Sequence, residues 1–295
     1  MADIAGFAAE LGAWGYTDFW AGESDRADGF TPLALASTAE PPLQLGTAIV
    51  PVFTRGRALL AQSAATMADA APGRFTLGIG ASSPAIVHGW NATSYGDPLG
   101  RVRATTAYLR AAFEGDKMAG GFRLASLPEQ PPGIAVGALQ PKMLRLAGEV
   151  GDGVVLTSLA ASDVTRLLEH VDPQRRPFTV VAWVTVCVVD SGASLPEALR
   201  VARRRIGRYL LTPTYARYHR WLGRGDDLDH MGSNPDAAPD SLMRDLVVMG
   251  TAEQCRAQLQ EFHERGVDVL LYEVLPGFAD LRETLAALAP TGPTR

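Results

Sequence analysis

Arg74-Phe75-Thr76-Leu77-Gly78-Ile79-Gly80-Ala81-Ser82-Ser83 is the stretch on which the fold turns. From Phe75 to Ile79 it is apolar and β-prone, then it breaks into glycine and serine, and Pro84 leads Ala85–His88 into the opening turn of a helix. A strand that ends in Gly-Ala-Ser-Ser and feeds a helix gathers backbone N–H groups and hydroxyls at one point, which suits a phosphate. An ordinary tight strand-to-helix turn reads the same way, and both readings stay open. Gly78-Ile79-Gly80 lacks the third glycine of the dinucleotide fingerprint.

Working back towards the start, Pro72-Gly73 stops an alanine-rich helix over Ala58–Ala70. Before it come a strand over Gln44–Val50 with Pro51-Val52-Phe53-Thr54, a helix over Phe30–Ala39, and a short strand Asp18–Ala21 with Gly22-Glu23-Ser24-Asp25 as its loop. Asp3 is placed to cap a first helix whose Ile4, Phe7, Ala8 and Leu11 keep helical spacing. Working forward, helices are expected at Gly100–Glu114, Pro141–Glu149, Ser162–His170 and Leu195–Leu211, with strands at Gly133–Gly137, Gly153–Thr157 and Thr179–Val189. Tyr215–Trp221 continues helically, and 223–240, rich in Gly, Asp and Pro, reads as a mobile loop. Thr251-Ala252-Glu253-Gln254 is a capping box for a helix to Arg265, with Gly266 as its stop. Val269–Val274 and Ala279–Leu288 are the last strand and helix.

The alternation of strand and helix, repeated about seven times without a composition break, implies a parallel sheet with covering helices. A chain of this length with this many units favours an α/β fold of the closed (β/α)8 TIM type, as one domain over 1–295.

Composition narrows the function. The 295 residues are 47% hydrophobic and 20% charged, with a formal net charge of −5. No basic stripe tracks nucleic acid. Arg200, Arg203, Arg204, Arg205 and Arg208 crowd one helix without interleaved aromatics and read as a solvated face. Cys187 and Cys255 form no spaced pair, and the five histidines show no HExxH spacing, so no metal is expected. The run Val180–Val189 is shorter than the ~20 residues a membrane span needs and suits a strand buried on both faces. Met1-Ala2-Asp3 lacks the basic start of a signal peptide, and a cytoplasmic location is the default expectation.

Barrel chemistry gathers at the C-terminal ends of the strands. That places Glu23 and Ser24, Ile49–Phe53, Gly80–Ser83 with His88 and Trp90, Gly137–Gln140, Thr157-Ser158 and Tyr272-Glu273 around one mouth. Glu23 is the best acid or base candidate, since a carboxylate at a strand's mouth can be desolvated; an exposed loop carboxylate or helix cap is the other reading. His88 suits a proton donor or a phosphate contact, against a structural role near a helix start. Trp20, Trp90 and Trp183 either line a pocket for a flat cofactor or pack the core. Glu273, if buried, needs a partner that the sequence does not name.

Several stretches together resemble the bacterial-luciferase-like flavin family, and within it the oxidoreductases that use the deazaflavin coenzyme F-420. They are Gly73–Gly80, Ser82–Asn91, Leu45–Pro51 with Thr54-Arg55, Pro141–Glu149 with Asp152-Gly153, and Val248–Gln254. The resemblance runs over nearly the whole chain, and the order and spacing of the motifs carry it. It implies a barrel with the deazaflavin at its C-terminal mouth and hydride transfer to or from a small organic substrate. Implied cofactor contacts are Glu23, Ala48, Ile49, Val50, Gly80, Ala81, Ser82, Ser83, Gly137, Ala138, Leu139, Thr157 and Ser158. A non-proline cis peptide is implied at Ala48–Ile49. The protein's part would be to hold donor and acceptor carbons together and exclude water. Among relatives a homodimer is common, though no residue here marks an interface.

Three features depart from the family pattern. An acidic residue followed by histidine is usual after the second barrel strand, and Glu23-Ser24 stands there. Sugar-oxidising members carry a glutamate where Ser82-Ser83-Pro84 stands. A strand usually precedes the first helix, whereas this chain opens on the helix, so the expected barrel lacks the usual first strand and leaves two edges unpaired. Either the start codon leaves that strand out, another segment fills the gap, or the chain is a degenerate member. An FMN-dependent monooxygenase of the same fold and a non-catalytic flavin-binding protein are the alternative functions.

Overall fold

Parallel strands form a single nine-stranded sheet. They are β1 (Asp18–Ala21), β2 (Gln44–Thr47), β3 (Val50–Pro51), β4 (Phe75–Gly80), β5 (Gly133–Gly137), β6 (Gly153–Thr157), β7 (Thr179–Val188), β8 (Val247–Gly250) and β9 (Val269–Val274). The computed structural model describes residues 3–189, 194–278 and 280–290. The strand order is β1-β2-β4-β5-β6-β7-β8, with β3 also on β4 and β9 also on β7. A helix at Ile4–Ala13 leads into β1, and helices at Thr31–Ala36, Arg57–Ala70, Pro98–Phe113, Pro141–Val150 and Ala252–Glu264 connect strands, which gives the (β/α) arrangement read from the sequence.

The central strands are apolar throughout because both of their faces are covered. Leu77, Ile79, Ile134, Val136, Val154 and Leu156 are fully buried against the outer helices. Inside the ring, Ala48, Ala135, Val155, Val181 and Leu271 form a second layer with Trp20, Ile49 and Trp183. Small residues there make room for the indoles: a Cβ added at Gly46 would lie 2.3 Å from the Trp20 ring.

Four local readings change. The strand expected over Gln44–Val50 is interrupted. Leu45 pairs with Phe75, but Val50 pairs with Ile79, so the β2–β3 strand carries one extra residue. That is a bulge. The Thr47 hydroxyl replaces the lost ladder, accepting from Gly78 N at 2.8 Å and donating to Gly78 O at 2.7 Å. The stretch 223–240 is not a loop throughout: Gly225–Met231 is a helix and Pro235–Ala237 a 3-10 turn. Leu228 and Met231, one helical turn apart, are buried, and burying them outweighs the Gly, Asp and Pro composition. The basic helix divides into Leu195–Ala202, a π-helical turn Arg203–Gly207, and Arg208–Leu210. Its arginines are not simply solvated: Arg203 pairs with Asp240, Arg204 with Asp236 and Arg205 with Glu273. The last helix runs Leu281–Ala287, and Ala279 lies outside the described residues.

The segment between β7 and β8 builds a core of its own. Ala198, Leu199, Ala202, Leu210, Met231, Leu242 and Met243 pack with Cys187, Val247 and Met249 at the ends of those strands. The capping box is present, with the Thr251 side chain accepting from Gln254 N and Gln254 Oε1 accepting from Thr251 N.

The ring is joined differently at its seam. β7 has β9 on one edge and β6 with β8 on the other: Val186 pairs with both Val248 and Val274. Among the described residues no ladder joins β9 to β1. Side chains bridge that seam instead. The Tyr16 and Tyr272 rings meet edge to face at 6.1 Å, Tyr16 Oη donates to Leu285 O at 2.8 Å, and Arg282 pairs with Glu10 at 2.7 Å.

Candidate active site

The bulge between β2 and β3 stands in the middle of the C-terminal mouth, where the strand ends converge. The Ala48–Ile49 peptide is cis, as the resemblance implied. The backbone around it is tied on several sides. Ala48 N donates to Ala21 O at 2.8 Å, Trp183 Nε1 donates to Ala48 O at 2.8 Å, and Glu23 N donates to Ile49 O at 3.3 Å. Ile49 is half-buried between buried Ala48 and Val50. Its side chain rests on glycine: a Cβ added at Gly80 or Gly137 would come within 3.0 or 3.1 Å of it, and one at Gly78 would lie 1.8 Å from Thr47 O. The result is an apolar floor with Ala138 and Leu139 on the β5 side.

The β4 corner borders this floor. Ser82 has left-handed backbone, φ 61°, a conformation uncommon outside glycine. Tyr95 Oη donates to Ser82 O at 3.2 Å, Tyr95 packs on Phe53 at 5.0 Å, and the Arg101 guanidinium lies over Phe53. Ser83 Oγ accepts from Ile86 N at 3.4 Å, so that hydroxyl caps the following turn. The turn is a π-helix, Ala85–Trp90, rather than an α-helical opening. It holds His88 exposed and Trp90 59% exposed, so Trp90 does not enclose a pocket here. Trp20 and Trp183 belong to the barrel interior.

Glu23 sits at the mouth but is already engaged. Arg55 Nη2 lies 2.6 Å from Glu23 Oε2, and Gly29 N donates to the same oxygen at 3.1 Å. The carboxylate therefore fastens the loop after β1 to the segment after β3. Asp28 lies 3.7 Å from the same guanidinium, and hydrogen bonds from Thr31 and Phe30 help to hold its carboxyl below the usual range despite partial desolvation. The partner that Glu273 required is Arg205, at 3.0 Å.

At the β6 corner Thr157 and Ser158 are half-buried, and Ser158 is also left-handed, φ 54°. Behind it lies a dry polar group that the sequence did not disclose. His219 Nε2 is 3.0 Å from Ser158 Oγ, and Arg224 pairs with Asp163 at 2.8 Å with both side chains almost buried. Asp163 Oδ2 also accepts from Ala160 N at 2.8 Å. Burial, and secondarily the nearby Arg224 charge, push the His219 pKa down to about 3. Burial raises that of Tyr218. No sequence spacing marks these residues, because Ser158 and His219 are 61 positions apart.

Two hollows lie at the opposite end of the ring. One of about 200 Å³ is lined by Trp20, Thr76, Ala135, Thr179 and Val181. Barrel chemistry belongs at the other face, and the described residues show no cluster able to hold a metal ion. No described helix is long and apolar enough to cross a membrane.

A family model described as luciferase-like monooxygenase matches residues 1–269. The chain is similar to a putative coenzyme F420-dependent oxidoreductase of Mycobacterium tuberculosis, 25% identical over 93% of this chain and 90% of that one. It is similar to the 5,10-methylenetetrahydromethanopterin reductase of Methanolobus tindarius, 25% identical over 90% of this chain and 87% of that one. Among solved structures, the coenzyme F420-dependent tetrahydromethanopterin reductase from Methanopyrus kandleri superposes with a TM-score of 0.75 at 15% identity, covering 98% of this chain and 93% of that one.

Proposed function

The chain belongs to the luciferase-like monooxygenase family, and on that premise we propose that it is an oxidoreductase using the deazaflavin coenzyme F-420. The observation that carries the reading is the floor at the mouth. Ile49 is set on a bulge, laid over Gly78, Gly80 and Gly137, and left half-buried. A flat ring fits such a floor, because glycine beneath it leaves the room that side chains would fill. The curated relatives named for F420 add the cofactor's identity.

Ala48, Ile49 and Val50 would support the ring, with Gly137, Ala138 and Leu139 beside it. Gly80, Ala81, Ser82 and Ser83 would meet its phosphate. Thr157 and Ser158 would offer hydroxyls from the β6 corner. When bound, the deazaflavin supplies a hydride donor or acceptor. The chain's own work is then orientation and exclusion of water, with Glu23 holding the rim through Arg55 rather than moving a proton. His88 is exposed on its turn and stays the outer candidate for a phosphate contact.

Titrating the protein with oxidised deazaflavin and, separately, with FMN, followed by fluorescence, tests the assignment. Tighter binding of the deazaflavin is expected. Preference for FMN would replace this reading with a flavin monooxygenase, and tight binding without turnover across an acceptor panel would make the chain a non-catalytic carrier.

A further inference from the structure

Behind the β6 corner, polar atoms without partners lie where solvent does not reach. Tyr218 and His219 are fully buried on the helix Pro213–Trp221. Their rings are 5.0 Å apart. Tyr218 Oη, His219 Nδ1 and Arg224 Nη1 have no hydrogen-bond partner among the described residues. His219 Nε2 is engaged by Ser158 Oγ at 3.0 Å and Arg224 Nη2 by Asp163 at 2.8 Å, and Ser158 stands half-buried at the end of β6.

The direction of that hydrogen bond follows from what surrounds the imidazole. Burial and Arg224 keep the ring neutral at ordinary pH, so it carries one N–H. On Nδ1 the hydrogen would be a buried donor with no acceptor. On Nε2 it is taken up by Ser158 Oγ. Buried unpaired donors are rarer than under-used acceptors. His219 therefore donates and Ser158 Oγ accepts. The hydroxyl hydrogen of Ser158, which has no acceptor among the described residues, is left to point into the mouth.

We propose that His219 is a positioning residue that turns the Ser158 hydroxyl outward as a fixed hydrogen-bond donor, and that this hydroxyl takes an acceptor oxygen, carbonyl or phosphate, of the small molecule bound in the mouth. The ligand half of this inference rests on the function proposed above; the positioning half does not. Left-handed backbone at Ser158 and the buried helix behind it fix the hydroxyl from both ends, so the donor would need little ordering when the ligand arrives. The oxygen could belong to the deazaflavin or to its substrate, and the two are separable.

Nitrogen NMR of the histidine-labelled protein reads the tautomer without any ligand. The Nε2–H form is expected at His219 from about pH 5 to 8. An Nδ1–H form, or protonation of this ring within that interval, overturns the proposal even if the protein binds neither deazaflavin nor FMN, which would overturn the function instead. With ligand, Ser158→Ala and His219→Leu should each weaken one quantity by about tenfold, and His219→Gln, whose amide can donate from the Nε2 position, should recover most of it. A raised deazaflavin Kd assigns the oxygen to the cofactor; an unchanged Kd with a raised KM assigns it to the substrate. If Ser158→Ala changes neither while His219→Leu does, His219 is only a packing residue and the proposal fails.

Discussion

The β4 and β6 corners of the mouth end in serines with nearly the same backbone, φ 61° at Ser82 and φ 54° at Ser158, yet they are held by opposite means. Ser82 is steadied from its own neighbourhood, by Tyr95 13 positions on, with Phe53 packed on that ring and Arg101 in turn over Phe53. Ser158 is steadied from 61 positions away by a histidine with no exposed surface, itself beside a nearly buried ion pair. A left-handed serine can thus rest on a local, partly exposed support or on a remote, buried one. The difference decides the cost of disturbing it, because partners lost near solvent are replaced by water and partners lost in the interior are not.

The largest break in this contrast should come from Asp163→Ala. It strands Arg224 in the interior and is expected to cost about 3–5 kcal/mol, seen as a large drop in the denaturation midpoint. A loss below about 1 kcal/mol would mean that the β6 corner is as hydrated as the β4 one.

Acid should then discriminate between the corners. His219 has a folded-state pKa pushed below its ordinary 6.5 to about 3. A depressed value contributes stability above pH 6.5, and that contribution is lost as the pH falls from 6.5 towards 3. The full effect is on the order of a few kcal/mol. Because carboxylates also titrate there, the measurement is the difference between wild type and His219→Gln in urea unfolding at neutral and acid pH. On acidification the wild type should lose stability relative to His219→Gln, and parallel pH profiles would remove the effect from His219.

Tyr95→Phe is expected to cost about 1 kcal/mol, the worth of one part-buried hydrogen bond. Combined with His219→Gln it should add within about 0.5 kcal/mol if the corners are independent. Smallest of all, Ser82→Gly relieves the left-handed backbone while adding freedom to the unfolded chain, so its net effect should stay within about 1 kcal/mol. A loss of more than ~2 kcal/mol by thermal unfolding would show that the Ser82 side chain makes a contact as firm as that of Ser158.

The same contrast explains what could be read from the sequence. Phe75–Gly80, Gly153–Thr157 and Thr179–Val188 announce themselves because strands covered on both faces are continuously apolar. The Thr251–Gln254 box and Pro141 at a helix start are legible because caps act over a few positions. Glu23 follows β1 directly, but its engagement by Arg55 depends on two loops meeting. The same holds for Glu273 with Arg205 and for Ser158 with His219. The bulge after Thr47 is legible only through the resemblance, which implied it at Ala48–Ile49, because a threonine hydroxyl standing in for a ladder leaves no pattern in the residues. The helix Gly225–Met231 escaped because its composition is that of a turn and only Leu228 and Met231 betray the buried side.

The bare ground beneath Ile49 also constrains how such a protein can diverge. An added methyl at Gly78 would collide with a carbonyl oxygen at 1.8 Å, and one at Gly80 or Gly137 would shoulder Ile49 upward from 3.0 or 3.1 Å. A side chain added beneath the centre of the mouth therefore meets either backbone or Ile49, a contact that positions on its rim do not impose. The segment between β7 and β8, with its separate core of Ala198, Leu199, Met231, Leu242 and Met243, is the part that can be remodelled while the ground stays level.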